Sequence, residues 1–143
     1  MIEKGFEMSE QEYPKWKIEK EQPFLARCPK CNHSAPKHQY SGLPIFSNYC
    51  PDCGARLLRP SMAPYKMIMK SYGIHFRMDE EMIEDFFMLK NAWREKWLII
   101  DCIQDQAISD IHALERCGWI TDSEMKWFKQ NFIYSDEGFK NKI

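Results

Sequence analysis

From Asp79 to Cys117 the chain carries neither glycine nor proline, and apolar residues recur at Phe86, Leu89, Trp93, Trp97, Ile100, Ile103, Ala107, Ile111 and Leu114. Steps of three and four residues place these side chains on one stripe of an α-helix. Asp79, Glu80 and Glu81 suit a helix N-terminus, and Gly118, preceded by Arg116, suits its end. Thr121-Asp122-Ser123-Glu124 then reads as a capping box opening a short second helix through Met125, Trp127, Phe128 and Phe132.

An unbroken helix over 79–117 would run about 58 Å at ~1.5 Å per residue, and no second helix matches it. Either it breaks, near Asp101 to Asp110 where polar residues thicken, or another copy or another protein covers its stripe. Phe86, Leu89, Trp93, Trp97 and Ile100 are the candidate interaction face on the second reading, with a homodimer as one way to cover it.

Before Pro60 the period changes. Trp16 and Ile18 alternate with Lys15, Lys17 and Glu19, as in a half-buried strand, and Phe24 to Arg27 forms a second short extended piece. Lys37 to Tyr40 and Ile45 to Tyr49, separated by Ser41-Gly42 and Pro44, are expected to form a hairpin.

Cys28, Cys31, Cys50 and Cys53 lie between these segments in the spacing C-x2-C-x18-C-x2-C. Two tight turns at that spacing bring four thiolates to one tetrahedral ion, so one zinc is the expected cofactor, with iron the alternative that such a site also suits. Proline inside each pair (Pro29, Pro51) fixes φ, while Asn32 and Gly54 can take the positive φ that aims backbone N–H groups at sulfur. Four cysteines leave no open coordination position, so the metal is expected to be structural. His33 and His38 flank the first pair but read as surface or hydrogen-bonding side chains, and Cys102 and Cys117 as small buried apolar residues.

The resulting expectation is an α+β chain. An acidic, loosely ordered N-terminus (1–12) precedes a zinc ribbon of short antiparallel strands (13–60) and a linker (61–78). A helical domain (79–133), with one long or broken helix and a short C-terminal helix, and a polar tail (134–143) follow. A ribbon this small lacks a sufficient core of its own and needs the metal.

Charge refines the picture without naming a partner. The net −1 comprises −3 over residues 1–12, +5 over 13–60 and −3 over 61–143. Four thiolates with zinc add about −2 to the middle segment, leaving it mildly basic. Lys30, Lys37, Arg56 and Arg59 are the candidate nucleic-acid or partner contacts. Trp16, Phe24, Tyr40, Phe46 and Tyr49 would stack bases on one reading and form the ribbon's small core on another.

No apolar run approaches the ~18 residues of a membrane span, and the acidic start lacks an apolar signal core, so a reducing cytoplasm is the expected compartment. None of the familiar nucleotide-binding, nucleophile-elbow or zinc-protease motifs occurs, so the chain is expected to bind rather than catalyse.

At Cys28-Pro29-Lys30-Cys31 and Tyr49-Cys50-Pro51-Asp52-Cys53-Gly54-Ala55-Arg56-Leu57 the chain resembles small zinc-ribbon proteins of bacteriophages and prophages, most of all the Lar-type restriction-alleviation proteins. The likeness covers roughly residues 13–60. It implies a phage-derived, non-enzymatic protein that modulates or inhibits a host nucleic-acid-targeting defence system by protein binding. A zinc-ribbon nucleic-acid-binding regulator and a metal-dependent nuclease are the alternatives.

Overall fold

The computed structural model describes residues 13–140, so the acidic segment 1–12 and the last three residues of the expected tail lie outside the described residues. The chain is α+β: a two-stranded antiparallel sheet beside a four-cysteine cluster, then a helical region closed by a short C-terminal helix. Its described residues form two compact units, one of 13–38 and 43–61, the other of 39–42 and 62–140.

In the first unit, β1 (Lys17–Ile18) pairs antiparallel with β2 (Ala26–Arg27), in the register Lys17 to Arg27 and Ile18 to Ala26. A parallel bridge joins Lys15 to Leu58, where Trp16 N donates to Leu58 O at 3.1 Å and Leu58 N to Pro14 O at 2.8 Å. The alternation read around Trp16 is real: Trp16 is 2 % exposed while Lys15 and Lys17 face water. Its indole N–H, which burial would otherwise leave without a partner, donates to Ser47 O at 2.8 Å.

The expected hairpin of Lys37–Tyr40 and Ile45–Tyr49 shrinks to one bridge, Lys37 to Pro44. Ile45 N donates to Pro36 O at 2.7 Å, but Pro36 and Pro44 have no N–H to extend the ladder. Residues 39–42 group with the helices instead: Asn91 Nδ2 donates to Tyr40 O at 3.0 Å and Ser41 O at 3.1 Å, and Tyr40 meets Trp97 edge-on.

The second unit begins inside the expected linker. Residues 63–71 form a helix, α1 (Ala63–Ser71), because Pro64 lies in its first turn, where no N–H is needed, and Tyr65 and Met69, one turn apart, are both buried. Next, α2 (Glu80–Glu95) starts at Asp79, whose carboxylate caps Met82 N at 2.9 Å. The long helix does break, at Lys96–Ile99 rather than near Asp101 to Asp110. Lys96 turns left-handed (φ 57°), and Trp97 N reaches back to Ala92 O at 3.1 Å.

α3 (Ile100–Arg116) packs against α2 and ends at Gly118 (φ 78°). There Trp119 N donates to Leu114 O and Gly118 N to Glu115 O, both at 3.0 Å, closing the helix with the paired bonds of a Schellman motif. The Thr121 capping box starts α4 (Asp122–Phe128), with Thr121 N to Glu124 Oε1 at 2.8 Å and Glu124 N to Thr121 Oγ1 at 3.1 Å.

α4 widens into a π-helical turn, Lys129–Ile133, and two distant side chains meet its carbonyls: Trp93 Nε1 on Phe132 O at 2.9 Å and Gln104 Nε2 on Ile133 O at 2.7 Å. The expected polar tail carries a last helix, α5 (Glu137–Lys140), from which Phe139 packs 4.9 Å from Phe132 and 5.1 Å from Phe86.

The core is aromatic. Phe86, Phe87, Phe128 and Phe132 are all at most 2 % exposed, and each buried ring of this size contributes about 1.5–3 kcal/mol. The apolar stripe read along 79–117 therefore serves this core. Phe86 and Leu89 are buried within the chain and Trp93 is tied to Phe132, so these three do not form an interaction face. Trp97 and Ile100 remain half-buried beside the break. Cys102 and Cys117, expected to be buried, are exposed.

Candidate metal centre

Two copies of one backbone turn build the site. In the first, Asn32 N donates to Cys28 O at 2.8 Å and Cys28 N to His33 O at 2.9 Å; in the second, Gly54 N donates to Cys50 O at 2.8 Å and Cys50 N to Ala55 O at 2.9 Å. Both turns need a left-handed residue just after the second cysteine, and Asn32 (φ 67°) and Gly54 (φ 77°) supply it. Each turn also aims an amide at its leading sulfur, Lys30 N at Cys28 Sγ (3.3 Å) and Asp52 N at Cys50 Sγ (3.4 Å).

The turns face each other so that their sulfurs interleave. Cys28 Sγ lies 3.7 Å from Cys53 Sγ, Cys31 Sγ lies 3.7 Å from Cys50 Sγ, and all four fall within 4.8 Å of one another. A tetrahedron with metal–sulfur bonds of ~2.3 Å has edges of ~3.8 Å, so the sulfur cage fits one tetrahedral ion. The leading cysteines are buried, Cys31 is half-buried and Cys53 is exposed, which gives the cluster a sealed inner side and a wet outer one.

Thiol acidity follows from this packing. Burial pushes the Cys28 thiol up, but hydrogen bonds from the Cys31 and Lys30 backbone outweigh it, bringing the group down to about 7. At Cys31 the hydrogen bond from the His33 backbone lowers the pKa; burial and the neighbouring cysteine sulfurs override it and push the thiol up to about 12. Cys53 is raised likewise, against the pull of the Ala55 backbone. Four sulfurs this close cannot all ionise unless a cation sits among them, and a bound metal supplies that charge.

His33 does not replace a cysteine: its Nδ1 lies 3.3 Å from Cys31 Sγ, as a hydrogen-bond partner of the cluster. Lys30 and Lys37 are exposed near the turns. Arg56 and Arg59 are instead laid over rings. The Arg56 guanidinium sits 5.1 Å from the Tyr13 centroid and 5.6 Å from that of Tyr49, and Arg59 sits 5.8 Å from Phe46. Trp16 and Phe46 are buried, as a small core requires, whereas Tyr49 is exposed. His112 approaches Lys129 Nζ at 3.0 Å, inside the helical unit.

One titratable pair escapes the sequence pattern. Burial and the nearby Asp110 carboxyl on α3 push the carboxyl of Asp85 on α2 up to about 8. The only hint in the sequence is that Asp110 sits three residues after Ala107, at the spacing of the buried stripe.

Comparison with known protein families, curated proteins and solved structures finds no match to this chain. Among the described residues no helix is long and apolar enough to cross a membrane.

Proposed function

We propose that the chain is a zinc-ribbon binding protein, phage-derived, that acts on a host nucleic-acid-targeting defence system by docking on a protein component of it. The observation that carries the ribbon reading is the sulfur cage itself. Four thiolates at tetrahedral spacing saturate zinc, so the ion holds the two turns together and has no position left for a substrate. Zinc rather than iron is preferred because the role is structural and zinc brings no redox chemistry.

The defence role rests on the resemblance of the two cysteine turns to phage and prophage ribbons. A protein target is favoured by what the helical unit exposes: Leu98 is 99 % and Ile99 50 % exposed, at the break between α2 and α3. Direct nucleic-acid binding is the second reading. Lys30 and Lys37 favour it, while Arg56 and Arg59 are laid over rings.

Elemental analysis of reduced protein should find one zinc per chain. Expression in a restricting bacterial strain should raise the survival of incoming unmodified DNA, and Cys50→Ser should abolish the effect. Zinc with no change in survival would retain the ribbon and remove the defence role; a protein without zinc or iron would remove both.

A further inference from the structure

The helical unit contains a basic cleft of about 180 Å³ that the metal centre does not use. Lys66, Lys70, His75 and Arg77 line it above an apolar floor that includes Met69 and Ile83, and no carboxylate does. Lys66 and Lys70 stand one turn apart on α1, a helix without an acidic residue. Two ammonium groups at that spacing repel each other, and neither has an ion-pair partner among the described residues, so the pair is held ready for an anion. The Arg77 guanidinium lies 4.4 Å from the Trp119 ring centroid, which fixes its plane and leaves its N–H edges to donate.

A second cleft of about 280 Å³ shares His75 and Phe76 with the first and is walled by Trp127. Its one acidic wall residue, Glu124, already accepts from Thr121 N at 2.8 Å in the α4 cap. The two neighbouring clefts thus differ in character, one cationic and the other aromatic with a carboxylate.

We propose that a nucleoside monophosphate, or a small phosphomonoester of the same build, spans the two neighbouring clefts across His75 and Phe76. The phosphate sits among Lys66, Lys70 and Arg77, and the ring lies against Phe76 and Trp127. A dianion answers three cations that share a cleft lined by no carboxylate. The carboxylate of Glu124 repels the phosphate from the aromatic side, which fixes the ligand's polarity. A long single strand is disfavoured because residues 61–143 carry a net −3 and the cleft itself holds only Lys66, Lys70 and Arg77 as fixed cations. The site is independent of the zinc-ribbon reading.

Calorimetric titration of the full-length, metal-loaded protein with AMP, UMP, adenosine and inorganic phosphate tests the site. One mononucleotide should bind in a single site, more tightly than phosphate or adenosine. The double substitution Lys66→Gln and Lys70→Gln, at exposed positions, should weaken that binding by on the order of tenfold or more and leave adenosine unchanged. Phe76→Leu should weaken the mononucleotide but not phosphate. Arg77→Gln repeats the cation test should the double variant lose its circular dichroism. No heat with either mononucleotide, equal binding of adenosine, indifference to the lysine and arginine substitutions, or tighter binding of an oligonucleotide lacking a terminal phosphate would each overturn the proposal.

Discussion

Asp85 on α2 lies beside Asp110 on the packed helix α3, and Asp110 Oδ2 is buried without a hydrogen-bond partner. Two neighbouring carboxyls in a half-buried setting resist ionising together. Burial, then the hydrogen bond and charge of Asp110, push Asp85 up to about 8, and Glu84 and Glu81 on its own helix add to the effect. Gln106 holds the other Asp110 oxygen, donating from Nε2 at 3.1 Å.

The folded chain therefore keeps a proton that the unfolded chain releases near the ordinary carboxyl range. This contribution to stability is fully present below about pH 4, declines as pH rises, and is gone above about pH 8. Asp85→Asn retains a donor for Asp110 and removes the titration. The variant should melt higher than the parent on the alkaline side, with a flatter curve of Tm against pH. Parallel melting curves for the two proteins would show that no proton is shared.

A second expectation concerns the metal. Chelation in reducing buffer, or Cys50→Ser, should disorder residues 13–38 and 43–61 while leaving the amide signals of α2 and α3 in place, because the two units have separate cores. Structural zinc contributes an apparent ~10–16 kcal/mol in small modules, far beyond what Trp16, Phe46 and Leu57 can replace. Heteronuclear NMR of the apo and loaded forms reads this directly. Persistence of the Trp16 indole signal at its native position without metal would contradict it.

Local chemistry was legible in the sequence; encounters between distant segments were not. The cysteine turns, the Asp79 and Thr121 caps and the Gly118 stop each depend on fewer than about seven neighbouring residues, and all were visible as spacing. The break at Lys96 carries no glycine or proline to mark it; Trp97 meeting Tyr40, far away in sequence, accompanies the turn. Helix α1, Ala63–Ser71, hid behind Pro60 and Pro64 in what read as a linker. The tail looked polar because Phe139, its one ring after Tyr134, finds its partners far away in sequence or across the core, in Tyr72, Phe86 and Phe132. The basic cleft and the Asp85–Asp110 pair likewise exist only once helices are packed.

The break itself can be strengthened. Lys96 adopts φ 57°, a conformation that L-residues reach at a cost of about 1 kcal/mol and glycine reaches freely. Lys96→Gly should therefore raise stability by up to ~1 kcal/mol, measured by urea denaturation, with no change in slope. A loss of stability would mean that the lysine side chain, not the backbone, matters at this corner.

Gly138 shows the opposite constraint, one of space. A Cβ there would collide with the Phe132 ring and stand 2.9 Å from Asn131 O, and Phe132 is itself fully buried, in contact with Tyr72, Trp127, Phe128 and Phe139. The ring has nowhere to go, so Gly138→Ala must push α5 outward and separate Phe139 from Phe86. Overpacking of this kind costs about 1–3 kcal/mol. Phe132→Ala removes the obstacle but also the centre of the cluster, for about 3–5 kcal/mol. Because both changes act on the contact with the Phe132 ring, their costs should not add: Ala at 138 ought to cost less once Phe132 is gone, with only the close approach to Asn131 O remaining. Chemical denaturation of the two single variants and the double variant measures the coupling, and simple additivity would place α5 away from Phe132 in solution.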